Sequence, residues 1–145
     1  MTISYKTAIS RQSLSSPAKY LAKENLFVGR ILDYGSGRGD LARFLKVKQP
    51  IEEWDPHWSP KEIIGKFDTI YCGYVLNVLP KKERESVVES CKSLLNPGGK
   101  IYFAVRRDLK ESGKTKRGYQ YLVRLPFPLV VETSSFAIYV LCYSN

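Results

Sequence analysis

Apolar positions in this chain fall into short blocks of two kinds. Val28–Tyr34, Phe67–Tyr74 and Lys100–Val105 are near-continuous apolar runs. Such runs suit strands in the middle of a parallel sheet, covered by helices on both faces. Between them, apolar residues recur at helical spacing. Leu41, Phe44 and Leu45 predict a short helix starting at Gly39 or Asp40. Pro80–Leu95 carries the clearest helical stripe, with Val87, Val88, Cys91, Leu94 and Leu95 opposite Lys81, Lys82, Glu85 and Lys92. Asn96-Pro97-Gly98-Gly99 stops that helix. Ser16-Pro17 reads as an N-cap followed by proline at the first helical position, opening a helix that ends near Asn25.

Three more strands complete the pattern. Ile51–Trp54 is a short one that finishes at Asp55-Pro56. Leu129–Glu132 and Phe136–Tyr143 form a hairpin around Thr133-Ser134-Ser135. Early alternation of strand and helix, then a late hairpin, predicts an α/β domain with a mostly parallel sheet and an antiparallel end. The span from Asp55 to Phe67 is too short for a further helix and strand, since a crossover unit needs about 10–12 residues. The chain of 145 residues is read as one domain. Residues 1–27 are an N-terminal extension and helix, 28–106 the core, and 107–145 a basic loop and the hairpin.

Composition narrows the classes. No apolar run reaches the ~18 residues of a membrane span. The opening residues lack the apolar centre of a secretory signal, so cytoplasmic residence is expected. Cys72, Cys91 and Cys142 are odd in number, widely spaced and set in apolar runs, and His57 is the only histidine. That excludes a zinc site or a disulfide framework and predicts buried reduced thiols. The net charge of +9, from 23 Lys and Arg against 14 Asp and Glu, suits a polyanionic partner or mere solubility.

The candidate chemistry sits around Asp33-Tyr34-Gly35-Ser36-Gly37-Arg38-Gly39-Asp40, a strand end, a glycine-rich turn and a helix start. Glycines there let a small molecule approach bare backbone. The spacing departs from the dinucleotide fingerprint, and no phosphate-loop Lys-Ser/Thr pair follows. Asp33 either holds the turn or faces a cationic ligand. Asp55, at the end of the second strand, either accepts the ribose hydroxyls of an adenosine or starts a turn before Pro56.

Four segments together resemble class I S-adenosylmethionine-dependent methyltransferases. They are Ile31–Gly39, Trp54-Asp55-Pro56, Phe67–Pro80 and Leu94–Ile101. Thr7–Arg11 and Ala104–Asp108 resemble a subgroup of small bacterial methyltransferases, some of them found beside DNA phosphorothioation genes. The resemblance implies a single Rossmann-like domain, a seven-stranded sheet with one reversed strand, and S-adenosylmethionine as cofactor. It implies that Gly35, Ser36, Gly37 and Gly39 hold the methionine moiety, with Asp33 beside them. Asp55 and Pro56 would meet the ribose, Cys72 and Gly73 would line the methyl-transfer mouth, and Arg11 would grip a carboxylate. The third strand and its adenine-contacting acid are missing; His57 or Trp58 could cover the ring instead, or His57 lie in an exposed loop and Trp58 wedge into the core.

Methyl transfer from a sulfonium needs alignment more than acid–base help. Tyr74 and Asn77 either orient an acceptor or serve as a packed ring and a polar helix start. Cys72 reads better as an inert core thiol than as a nucleophile. Arg38, Arg106 and Arg107, like Arg11, could grip an anion, and solvated surface charge suits Arg107 better than Arg11. The basic loop 106–117, followed by Tyr119 and Tyr121, suits exposed bases or a flexible solvated loop, and with the net charge it favours a nucleic-acid acceptor. A small-molecule acceptor, or a non-catalytic cofactor-binding module working alone, as a homodimer or beside a partner subunit, are the alternatives.

Overall fold

The computed structural model describes residues 12–45, 47 and 50–143. Within them, β1 (Ile31–Tyr34) is the centre of the parallel part of the sheet, and all four of its residues are buried. On one side it pairs in parallel with β2 (Glu52–Trp54), and on the other with β3 (Phe67–Gly73). β3 pairs in parallel with β4 (Leu95–Arg106). β8 (Phe136–Cys142) then runs antiparallel to both β4 and β7 (Leu129–Glu132). The six-stranded order is β2-β1-β3-β4-β8-β7, with β8 the one reversed strand. The expected seventh strand is absent among the described residues. The loop from Asp55 to β3 holds only an isolated bridge between Asp55 and Ser59, so β2 forms the rim of the sheet.

Helices cover the two faces as the apolar patterns require. α1 (Ser16–Lys23) and α2 (Asp40–Phe44) pack Ala18, Leu21 and Leu41 against Ile31, Tyr71, Tyr102 and Ile138. α3 (Lys81–Ser93) packs Val87 and Cys91 against Leu32, Ile70, Cys72 and Phe103 on the other face. Alternate residues of β3, β4 and β8 therefore serve opposite cores, which is what a doubly covered sheet demands.

Several boundaries differ from expectation. Ser15, not Ser16, caps α1 through its side chain, and its hydroxyl also meets the Tyr71 hydroxyl at 3.2 Å. The chain leaves that helix through Asn25, whose φ is 57°. β1 starts at Ile31, because Val28 is exposed and donates its N–H to the Thr69 hydroxyl. α3 stops at Ser93, and Leu95 already pairs with Phe67. The Asn-Pro-Gly-Gly corner is thus an irregularity inside β4, between the Leu95 and Lys100 pairings, rather than a turn before it. Cys142 is exposed at the end of β8, whereas Cys72 and Cys91 are buried. Within the stretch read as a loop lies a second sheet, the hairpin of β5 (Gly113–Thr115) and β6 (Gly118–Gln120). The Tyr121 N–H donates to the Asn77 carbonyl at 2.6 Å and ties this hairpin to a 3₁₀ turn, Leu76–Val78, after β3.

Candidate functional site

The carboxyl ends of β1, β2, β3 and β4 lie together, as parallel pairing dictates, and ligands of open α/β sheets bind at such ends. At the end of β1 the chain turns sharply. Gly35 and Gly39 have φ of 82° and 84°, a region that side chains rarely adopt. Gly35 also faces the segment after β3, where an added Cβ would lie 2.4 Å from the Val75 side chain. The glycine loop and the post-β3 segment are therefore in direct contact. The Ser36 hydroxyl is buried and has no hydrogen-bond partner among the described residues.

Asp55 holds this loop from the side. Its Oδ2 accepts the Gly37 N–H at 2.9 Å, and its Oδ1 accepts the N–H groups of His57 and Trp58 at 2.9 and 3.0 Å. Trp54 supplies its carbonyl to the N–H groups of Gly35 and Ser36 at 2.7 and 2.9 Å. A carboxylate has about four acceptor positions. Three are occupied here, so Asp55 keeps room for one further donor and not for a pair of hydroxyls. Pro56 follows within the turn that Asp55 caps. The turn-starter reading and the loop-clamp geometry are thus one arrangement.

Asp33 is buried, and burial pushes its carboxyl well above the usual carboxylate range, with Asp40, Glu53 and Asp55 adding repulsion. Trp58 is partly exposed rather than wedged into the core. The Arg38 guanidinium sits 4.4 Å from its ring centroid, and His57 meets it edge-on. Gly37, Gly39, Arg43, Glu53 and Trp58 border an open cleft of about 650 Å³ beside α2, next to the rim left by the missing strand.

The end of β3 builds a second hollow. Gly73 is required because the Tyr71 phenol lies against its backbone, within 2.4 Å of an added Cβ. Tyr74 then takes φ 58°, a strained conformation for a residue with a side chain, held by its N–H bond to the Ala104 carbonyl at 2.8 Å. Tyr74 and Asn77 border a cavity of about 510 Å³ together with Arg106, Lys116, Arg117 and Gln120. Asn77 is buried, and its Nδ2 donates to Gln120 Oε1 at 2.8 Å. Arg106 pairs with Asp108 through two contacts of 2.8 Å, which holds the Asp108 carboxyl below its ordinary range.

Other candidates stand elsewhere. Cys72 is enclosed in the core beside Cys91, and their hydrogen bond together with burial pushes its thiol well up. Its side chain opens on neither hollow, as an inert thiol should. Arg11 lies outside the described residues. Arg107 is not solvated charge: its side chain is 6% exposed. It donates to Glu132, to the Val123 carbonyl and to the Tyr139 hydroxyl, stitching the hairpin-side loop to β7 and β8. Gln120 was not singled out from sequence. Its only signal was its place in the alternation Tyr119-Gln120-Tyr121.

No family model matches the chain, and no curated protein sequence does. Solved structures do match. The 1,6-didemethyltoxoflavin-N1-methyltransferase of Burkholderia thailandensis, with bound 1,6-didemethyltoxoflavin and S-adenosylhomocysteine, superposes with a TM-score of 0.62 at 16% identity, over 90% of this chain and 78% of that one. The magnesium protoporphyrin IX methyltransferase of Synechocystis PCC 6803 with bound SAM gives 0.52 at 16% identity, over 89% of this chain and 77% of that one. The glycopeptide N-methyltransferase MtfA gives 0.51 at 17% identity, over 88% and 78%. The chain thus has the Rossmann-like fold seen in these methyltransferases, a mostly parallel sheet closed by an antiparallel hairpin.

Proposed function

We propose that this protein binds S-adenosylmethionine across its glycine loop and transfers the methyl group to a small molecule held at the ends of β3 and β4. The observation that carries this reading is the contact of Gly35 with Val75. It joins a backbone cradle to a separate hollow bordered by Tyr74 and Asn77. The residues present fit such a cofactor. Ser36 offers a buried hydroxyl without a partner among the described residues, Asp55 one unused acceptor position, and Asp33 a buried carboxyl in β1. The cofactor supplies an electrophilic methyl carbon on a sulfonium.

The chain's own residues orient the acceptor. Tyr74, fixed by its strained backbone, and Asn77, fixed by Gln120, bound the acceptor's position. Hairpin β5–β6 supplies one wall of the hollow. A base matters only for an acceptor that must lose a proton. A small molecule is favoured over the nucleic acid that charge alone suggests. The cavity has the size of small-ligand pockets, roughly 300–1,000 Å³, and the basic stretch is folded as its wall. The structural neighbours named above act on small molecules or a glycopeptide by their own descriptions. Kinship with the phosphorothioation-associated subgroup rests on sequence resemblance alone.

Calorimetry with S-adenosylmethionine tests the first half, and micromolar binding is expected. A tritiated-methyl assay on metabolite extract, RNA and DNA tests the second, with label expected in the small-molecule fraction. Label in RNA or DNA would replace the acceptor class. Cofactor binding without any transfer would make the protein a binding module. No binding would end the proposal.

A further inference from the structure

We infer that the cavity at the ends of β3 and β4 selects a small organic anion that also carries an N–H or O–H donor. This deepens the methyl-transfer reading by naming the acceptor's chemistry, but its binding claim stands on different residues from those of the cofactor cradle.

The donor requirement comes from Asn77. Its side chain is 1% exposed and borders the cavity. Its side-chain amide is held by the Nδ2 donation to Gln120 Oε1, and its backbone by the carbonyl that accepts from Tyr121. Turning the amide to seek another partner would break the bond to Gln120. Its Oδ1 is left buried with no hydrogen-bond partner among the described residues. Folded proteins pair such acceptors, and an unpaired one at a cavity wall calls for a donor from the ligand. A ligand without that donor would bury the oxygen further with nothing to offset it.

The anion requirement comes from the other walls. Arg106, Lys116 and Arg117 contribute three cations, and Asp108 one carboxylate. Asp108 is engaged by Arg106 through Nε and one terminal nitrogen. A guanidinium has five N–H donors in a fixed fork, so Arg106 keeps others. Lys116 and Arg117 have no carboxylate partner among the described residues. The hollow is thus net positive, with a fixed acceptor at its buried side and cations on the hairpin. That polarity matches a ligand with a carboxylate or phosphate at one end and a donor at the other.

The test uses the full chain and titration calorimetry. Probes are 4-hydroxybenzoate, 4-aminobenzoate and 4-aminophenyl phosphate. Each is paired with an uncharged counterpart (the benzamides, aniline) and with a donor-blocked one (methoxy or dimethylamino). At least one charged donor is expected to bind, the carboxylate and phosphate arms showing which oxyanion is preferred. Removing the charge or the donor should each weaken binding about tenfold, the worth of one such contact. Lys116→Ala with Arg117→Ala should abolish the preference for the anion. Asn77→Leu should abolish the preference for the donor. Should that variant fail to fold, Gln120→Leu frees the amide to turn and should blunt the same preference. S-adenosylmethionine affinity is measured on each variant. Unchanged cofactor binding without anion selectivity overturns this inference alone, and anion selectivity without cofactor binding overturns only the methyl-transfer reading. Equal binding of neutral or donor-blocked probes, or no binding of any probe, overturns the inference.

Discussion

Asp55 and Asn77 both lie buried where parallel strands end, yet their polar atoms serve different ends. Asp55 directs both oxygens at backbone N–H groups of two loops. Asn77 directs one atom at Gln120 and leaves the other unpaired. The first pattern builds a shape, and the second keeps an unmet demand for a ligand. A residue's place at a strand end therefore does not reveal whether it frames a site or reads what enters it. The count of unused donors and acceptors does.

This contrast can be broken by substitution. Asp55→Ala removes three charge-assisted bonds and should cost roughly 3 kcal/mol of stability in urea unfolding, with weaker cofactor binding as a consequence. Full stability with lost cofactor affinity would move Asp55 to the reading side of the comparison. Arg107→Met should follow at about 2 kcal/mol, from the lost bonds to the Val123 carbonyl and Tyr139 hydroxyl. It shares with Asp55 the habit of satisfying itself internally, and an unchanged unfolding midpoint would refute that.

Asp33 sharpens the comparison with a different sign. Its folded-state carboxyl titrates above its unfolded value, because of burial first and then Asp40, Glu53 and Asp55. Such a group favours the fold most below the unfolded value, and that contribution is lost as pH rises through the folded one. Asp33→Asn does not titrate. Its melting temperature should therefore gain progressively on the parent as pH rises above the ordinary carboxylate range. A difference that stays flat as pH rises would show a carboxylate already compensated. The smallest effect is expected from joint replacement of Lys114, Lys116 and Arg117 by Ala. The unfolding midpoint should stay where it is, because exposed charges away from partners contribute little. A clear loss would make the hairpin cations structural.

Much of the sheet was legible because its core strands are apolar on both faces. Ile31-Leu32 and Ile70-Tyr71-Cys72 have few alternatives to a central strand. The late hairpin was legible for the same reason, with Phe136–Ile138 buried at its heart. The β5–β6 hairpin was not, since Gly-Lys-Thr and Gly-Tyr-Gln bury one residue between them and leave no apolar rhythm. Arg107 misled because charge was equated with exposure. A guanidinium surrounded by a carbonyl, a hydroxyl and a carboxylate can be buried, and those partners come from residues 16 to 32 positions away. Asp55 was legible as a turn starter, and only the geometry shows that one carboxylate oxygen keeps space while the other is full. Trp58 was misjudged by size alone: a large ring can rest under Arg38 at the rim instead of filling a core.

The shortened span after β2 has a consequence for how these molecules meet. A bare rim invites another chain to extend the ladder. Here the rim is three residues long and bears Glu52 and Glu53, the former pinned by Arg30 at 2.6 Å. Two copies approaching rim to rim would meet over a very short seam that carries acids and a guanidinium. The short, charged edge is thus a poor template for self-stacking.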